Sequence, residues 1–145
     1  MDPNMRADML KDEYTLLQRL YEDIDSKGLT IKNWAITVAL TIIGASVLNK
    51  ERNLLWLAFA ASIVFWYVEA YWRGLSHFFA VRIQEIEAVL RDGTWEKAVP
   101  LQLYSSWSEE YEKSKDQTFR YMRKRATLLP HALIPVLILV LYFLL

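Results

Sequence analysis

From Leu10 to Ile24, apolar side chains return every three or four positions: Leu10, Tyr14, Leu17, Tyr21 and Ile24, with Leu16 and Leu20 widening the stripe. That period is close to the 3.6 residues of a helical turn and predicts an amphipathic helix. Ser26–Lys27–Gly28 is expected to break it. Beyond the break the polar positions nearly vanish. Trp34 to Leu48 carries only Thr37, Thr41, Gly44 and Ser46 as relief. A second apolar run opens at Leu54 and a third covers 127–145. Each approaches the ~20 residues a helix needs to cross a ~30 Å hydrocarbon layer. A soluble helix of this length would keep a polar stripe, and Val136 to Leu145 has none. The first run begins too far into the chain, behind a charged helix, for a cleavable signal peptide.

The first two runs are separated by Asn49–Asn53, which demands a tight antiparallel hairpin. After Arg73 the helical pattern continues through Phe79, Ile83, Ile86 and Leu90, and Asp92–Gly93 is the expected helix end. Thr94 to Tyr104 is a linker carrying Pro100. Ser106 and Glu109 match a capping box, predicting one charged helix to about Ala126 that includes Lys113, Lys115 and Asp116. Pro130 and Pro135 predict a kink or a re-entrant start in the third span. The fold class is therefore all-α and integral to a membrane. Its parts are an N-terminal amphipathic helix (1–28), a transmembrane hairpin (29–73), a cytoplasmic helical region (74–126) and a third hydrophobic span (127–145).

Charge sets an orientation. Arg120, Arg123, Lys124 and Arg125 crowd before the third span, and Lys27, Lys32 and Arg73 flank the hairpin on the same side. The short loop has only Lys50 and Arg52, offset by Glu51. Positive residues near span ends stay cytoplasmic, which puts the N-terminus inside and the loop outside. Formal net charge is zero, so no global basic excess points to nucleic acid. With no cysteine, thiolate metal sites, thiol catalysis and disulfides are excluded. Two histidines, four glycines and no motif for a phosphate loop, a zinc protease or a nucleophile elbow leave no visible catalytic constellation. No enzyme, cofactor or metal is expected.

The candidate sites lie in the spans and the basic run. Ala58, Ser62, Glu69 and Arg73 share one broad helical stripe, and Glu69 precedes Arg73 by the four residues that favour an ion pair. Two readings stay open. The pair is an interfacial anchor within the aromatic belt of Trp66, Tyr67, Tyr71 and Trp72. Alternatively, Glu69 repeated around a symmetric oligomer is a carboxylate ring at a cytoplasmic pore mouth. Thr37 and Thr41 either pack within the hairpin or line a pore beside Ser62, Glu69 and Arg73. Trp34, Trp66 and Trp72 are candidate interfacial anchors. The run Arg120, Arg123, Lys124 and Arg125 anchors to anionic headgroups or binds a phosphate-bearing ligand, with Phe119 and Tyr121 available to stack on bases. His131 reads as a histidine buried against the helix backbone. The Leu10–Ile24 stripe either packs on this chain's own helices or meets a partner.

The strings "RLYEDIDSKGLTIKNWAITVALTIIGASV" and "FWYVEAYWRGLSHFFAVRIQEIE" resemble the SLATT-type membrane effectors of bacterial anti-phage defence. They are also similar to the membrane subunit of Hailong-type systems. The likeness covers roughly Met9 to Leu90. The third hydrophobic span departs from the simplest pattern of a hairpin with a soluble tail. The resemblance implies a homo-oligomeric ion channel in the bacterial inner membrane. A nucleotide or oligonucleotide made by a partner nucleotidyltransferase would gate it, and its opening would depolarise an infected cell. One chain has too few spans to enclose a conduit, so a ring of copies is required, four being favoured. The alternative is a non-conducting membrane scaffold that recruits a cytoplasmic partner through the Met9–Ile24 stripe.

Overall fold

The computed structural model describes residues 2–113 and 117–144. The chain is helical throughout, with no strand among the described residues. Its elements are α1 (Pro3–Asn49), α2 (Asn53–Arg91), a 3-10 turn (Trp95–Lys97), α3 (Leu103–Lys113), α4 (Gln117–Met122) and α5 (Arg125–Leu144). Lys115 and Asp116 lie outside the described residues.

Two long helices dominate. At 1.5 Å per residue, α1 is about 70 Å long and α2 nearly 60 Å. Asp2 caps α1 by accepting from the Asn4 N–H at 3.2 Å, and Pro3 supplies a first-turn φ already suited to a helix. The break expected at Ser26–Lys27–Gly28 does not occur, so the N-terminal helix and the first apolar run are one helix. Gly28 is buried against α2, where an added Cβ would meet Arg73 Cγ at 3.2 Å. It serves as a point of close approach. Its cost of about 1 kcal/mol in a helix is offset by packing along the whole hairpin.

A three-residue turn joins α1 to α2. Lys50 takes the left-handed conformation (φ 54°), the Glu51 N–H donates to Ser46 O at 3.0 Å, and the Ser46 hydroxyl donates to Glu51 O at 2.9 Å. The helices then run antiparallel, with Lys32 opposite Glu69, Asp25 opposite Arg73 and Tyr14 opposite Glu87. At its far end α2 stops at the expected place: Gly93 adopts φ 68° and the Thr94 N–H returns to Val89 O at 2.9 Å.

The hairpin has two unlike halves. Towards the loop, Ala39, Ile43, Leu55 and Ala58 form a core that α5 completes with Ile134 and Ile138. Away from the loop, Leu17, Ile83 and Ile86 form a smaller core with Tyr14, Phe79 and Leu103 around it. Of the amphipathic stripe of α1, Leu10 and Leu17 are buried, while Leu16 and Tyr21 stay exposed. In the loop half the outer surface is apolar, with Leu48, Trp56, Leu57, Leu133, Val140 and Phe143 exposed. Monomers in water rarely present so continuous an apolar surface. α1, α2 and α5 are each long and apolar enough to cross a membrane.

The single helix expected from Ser106 to Ala126 is interrupted by a turn at Arg123–Lys124, with α3 and α4 before it and α5 after it. α3 begins before Ser106, whose N–H is already bonded to Gln102 O at 3.0 Å, so Ser106 is not a cap. α5 is continuous through Pro130 and Pro135. It reaches the loop end, where Tyr142 meets the Trp56 ring edge-on at 5.7 Å. One reason it survives is visible at Pro130. Proline lacks the N–H that would satisfy Ala126 O one turn earlier, and Lys32 Nζ from α1 donates to that carbonyl instead.

Candidate functional site

Where the apolar and polar halves meet, one carboxylate ties the three long helices together. Glu69 is fully buried. From the next turn of α2, Arg73 Nε donates to its Oε1 at 2.7 Å. From α1, Lys32 Nζ lies 3.2 Å from the same oxygen, and from α5, His131 Nε2 lies 2.7 Å from Oε2. Arg73 also reaches Asp25 on α1. The Trp66 indole lies parallel to the His131 ring, 6.4 Å between centroids, and its Nε1–H donates to Met122 O at 3.2 Å. The formal charges of Lys32, Arg73, Glu69 and Asp25 cancel. The Glu69–Arg73 pair expected from the sequence is present, and Lys32 and His131 join it. His131 Nδ1 and, one turn earlier on α5, Thr127 Oγ1 are buried without a hydrogen-bond partner.

This geometry sets Glu69 among side chains of its own protomer. Ala58, Ser62, Glu69 and Arg73 do share one stripe, but that stripe faces into the protomer. Ser62 is buried and its hydroxyl donates to Phe59 O at 2.8 Å, while Arg73 is spent on Glu69 and Asp25. Trp66, half-buried, tethers α2 to the α4–α5 turn. Trp34 is exposed, and Trp72 is partly covered beneath Lys27, whose Nζ stands 5.7 Å from the ring centroid.

Thr37 and Thr41 behave differently. Ala35, Ala39, Ile43 and Ser46 of α1 are buried, whereas Asn33, Thr37 and Thr41 point the other way, exposed and uncovered by any helix of the chain. Gly44 continues that face, with open space beside it. The two hydroxyls donate to Asn33 O at 2.9 Å and Thr37 O at 2.8 Å.

Arg120, Arg123, Lys124 and Arg125 surround the α4–α5 turn and are all exposed. None forms an ion pair among the described residues. Lys124 Nζ stands 3.5 Å over the Tyr121 ring, and Phe119 is exposed beside it. The field of this turn reaches α2: burial, then the charges of Arg120 and Lys124, hold the His77 pKa below its ordinary value. No group of three or more His, Asp or Glu able to hold a metal occurs among the described residues.

A second buried carboxylate escaped the sequence reading. Glu13 on α1 is fully buried and accepts from Arg82 Nε at 2.9 Å and from the Leu101 N–H at 2.7 Å. Arg82 also donates to Glu85 at 3.0 Å and to Val99 O at 2.9 Å. Burial works against the Arg82 charge, and Glu13 and Glu85 more than offset it, so its pKa stays above the ordinary guanidinium value. The available signal was positional, since Glu13 sits between Leu10 and Leu17 on the face that α1 buries. No family model, curated protein or solved structure matches this chain.

Proposed function

We propose that this chain is the subunit of a homo-oligomeric pore in a bacterial inner membrane, with its N-terminus cytoplasmic. The observation that carries the reading is the polar face of α1. Asn33, Thr37, Thr41 and Gly44 turn away from the hairpin core within an otherwise apolar half. Small and polar residues at membrane depth face neighbouring helices or water rather than lipid. Leu55, Ile134 and Ile138 fill the space between the helices of one chain, so a conduit must lie between copies. The exposed cations at 120–125 support a cytoplasmic placement of that end. They also suit a phosphate-bearing ligand, a nucleotide or oligonucleotide that controls opening. The resemblance to defence effectors supports depolarisation of an infected cell as the outcome. The scaffold alternative would use what remains exposed of the Met9–Ile24 stripe, Leu16 and Tyr21, since Leu10 and Leu17 are buried.

The test is ion flux through purified full-length protein in liposomes, with oligomer mass measured on the same sample. Wild type forms a ring and conducts, alone or with an added nucleotide. Thr37→Leu with Thr41→Leu lowers flux by about tenfold or more, because an apolar constriction dewets. A ring that stays silent with every nucleotide tested, or equal flux from the double variant, overturns the reading. Separately, changing Arg120, Arg123, Lys124 and Arg125 to Gln weakens nucleotide affinity by about tenfold or more, the scale of losing charge-assisted hydrogen bonds. Unchanged affinity in low salt returns the turn to headgroup anchoring.

A further inference from the structure

On the side of the hairpin away from His131, α1 and α2 leave a groove of about 420 Å³ between them. Its walls are Ile31 and Trp34 from α1 and Val64, Val68 and Trp72 from α2, and Lys27 stands at one end. The groove lies at the level of Lys32 and Glu69, where the surface changes character. Towards the loop, Val64 and Leu40 are exposed; away from it, Lys27 and Asp23 are exposed and paired at 2.7 Å.

We propose that this groove binds one membrane glycerophospholipid, an acyl chain lying along Val64 and Val68 and the phosphate resting on Lys27. Three features select that occupant. The groove is polar at one end only, which matches a molecule with a charged head and an apolar tail. Lys27 to Trp34 spans about two helical turns, roughly 10 Å, a short seat for the helix of a second copy but enough for the upper part of an acyl chain. Trp34 and Trp72 place indoles beside it, the side chains that favour headgroup depth. Asp23 makes the Lys27 end neutral overall, which suits a head carrying both phosphate and ammonium, as phosphatidylethanolamine does. The proposal rests on the membrane placement of the apolar half but not on conduction, since Thr37 and Thr41 do not line the groove.

The experiment is native mass spectrometry of the full chain released from mild detergent, titrated with phosphatidylethanolamine, with phosphatidylglycerol and with glycerol 3-phosphate alone. Wild type keeps one phosphatidylethanolamine per chain and does not bind glycerol 3-phosphate. Val68→Trp, which fills the groove, loses the lipid. Lys27→Ala, an exposed change that spares the packing, weakens retention about fivefold. Retention by Val68→Trp equal to wild type overturns the proposal. So does binding of glycerol 3-phosphate alone, or retention of phosphatidylglycerol only that is lost with the cations at 120–125. Oligomers that fall apart in Val68→Trp while lipid stays bound identify the groove as a contact between copies and also overturn it. Absent flux with lipid retained counts against the pore alone.

Discussion

Glu69→Ala lowers unfolding stability by about 3–5 kcal/mol, the scale of stranding buried charges by removing their partner. The loss falls on the folded protomer and not on a pore mouth. The carboxylate is fully buried and meets Arg73, Lys32 and His131, one from each long helix. Without it, two cations and an imidazole face one another where little water can reach them. Glu69→Gln keeps the shape but removes the charge, so it too reduces folded yield, whereas a carboxylate lining a conduit would alter current and leave yield intact. Detergent-based unfolding, followed by circular dichroism, reads the effect directly. A drop below about 1 kcal/mol, the range of an exposed pair, would show that the cluster is not buried in the protein. A compensated variant separates charge from packing. Glu69→Leu with Arg73→Met and His131→Leu removes the carboxylate with two of its partners, keeps Lys32 on the Ala126 carbonyl, and recovers part of the loss.

Glu13→Ala produces the second large effect, about 3 kcal/mol or more by the same reasoning, and gives it a location. Glu13 holds the Leu101 N–H and the Arg82 guanidinium, and Arg82 holds Val99 O. Together these contacts strap the segment after the 3-10 turn onto the hairpin. Leu101 is kept at φ 61°, a left-handed conformation that costs a non-glycine residue about 1–2 kcal/mol. Once Glu13 is gone, nothing offsets that strain, and limited proteolysis should cut first between Ala98 and Gln102. Leu101→Gly is the opposing control. It removes the strain and gives up only a half-exposed side chain, so the strap stays protected. Equal protease resistance of Glu13→Ala and wild type would show that the strap is held by something other than this carboxylate.

Local pattern made the helical class legible. The return of Leu10, Tyr14 and Leu17, and the long apolar runs, reflect periods that depend on nothing beyond the helix itself. Gly93 as the end of α2 was legible for a similar reason, since a left-handed cap depends on the local backbone. Gly28 misled because its value lies in what approaches it: Arg73 is 45 positions away, and no local rule reports that contact. Ser106 misled in the same way, because the strained Leu101, held by the distant Glu13, starts α3 early.

The candidate site divides along the same line. Composition determined the excluded chemistry, the three apolar runs and the asymmetric cations, because each is a property of residue type and spacing. Helical spacing also put Glu69 beside Arg73 and on the stripe of Ser62. Only the tertiary structure decided where that stripe points. α5 covers it, bringing His131 to the carboxylate, while Lys32 serves both Glu69 and the carbonyl that Pro130 leaves without a donor. Thr37 and Thr41 were left outside because Ala35 and Ala39 are the smaller contacts and let α1 approach α2 closely. A helix has faces in any sequence, but which face is inside depends on the neighbours that fold against it.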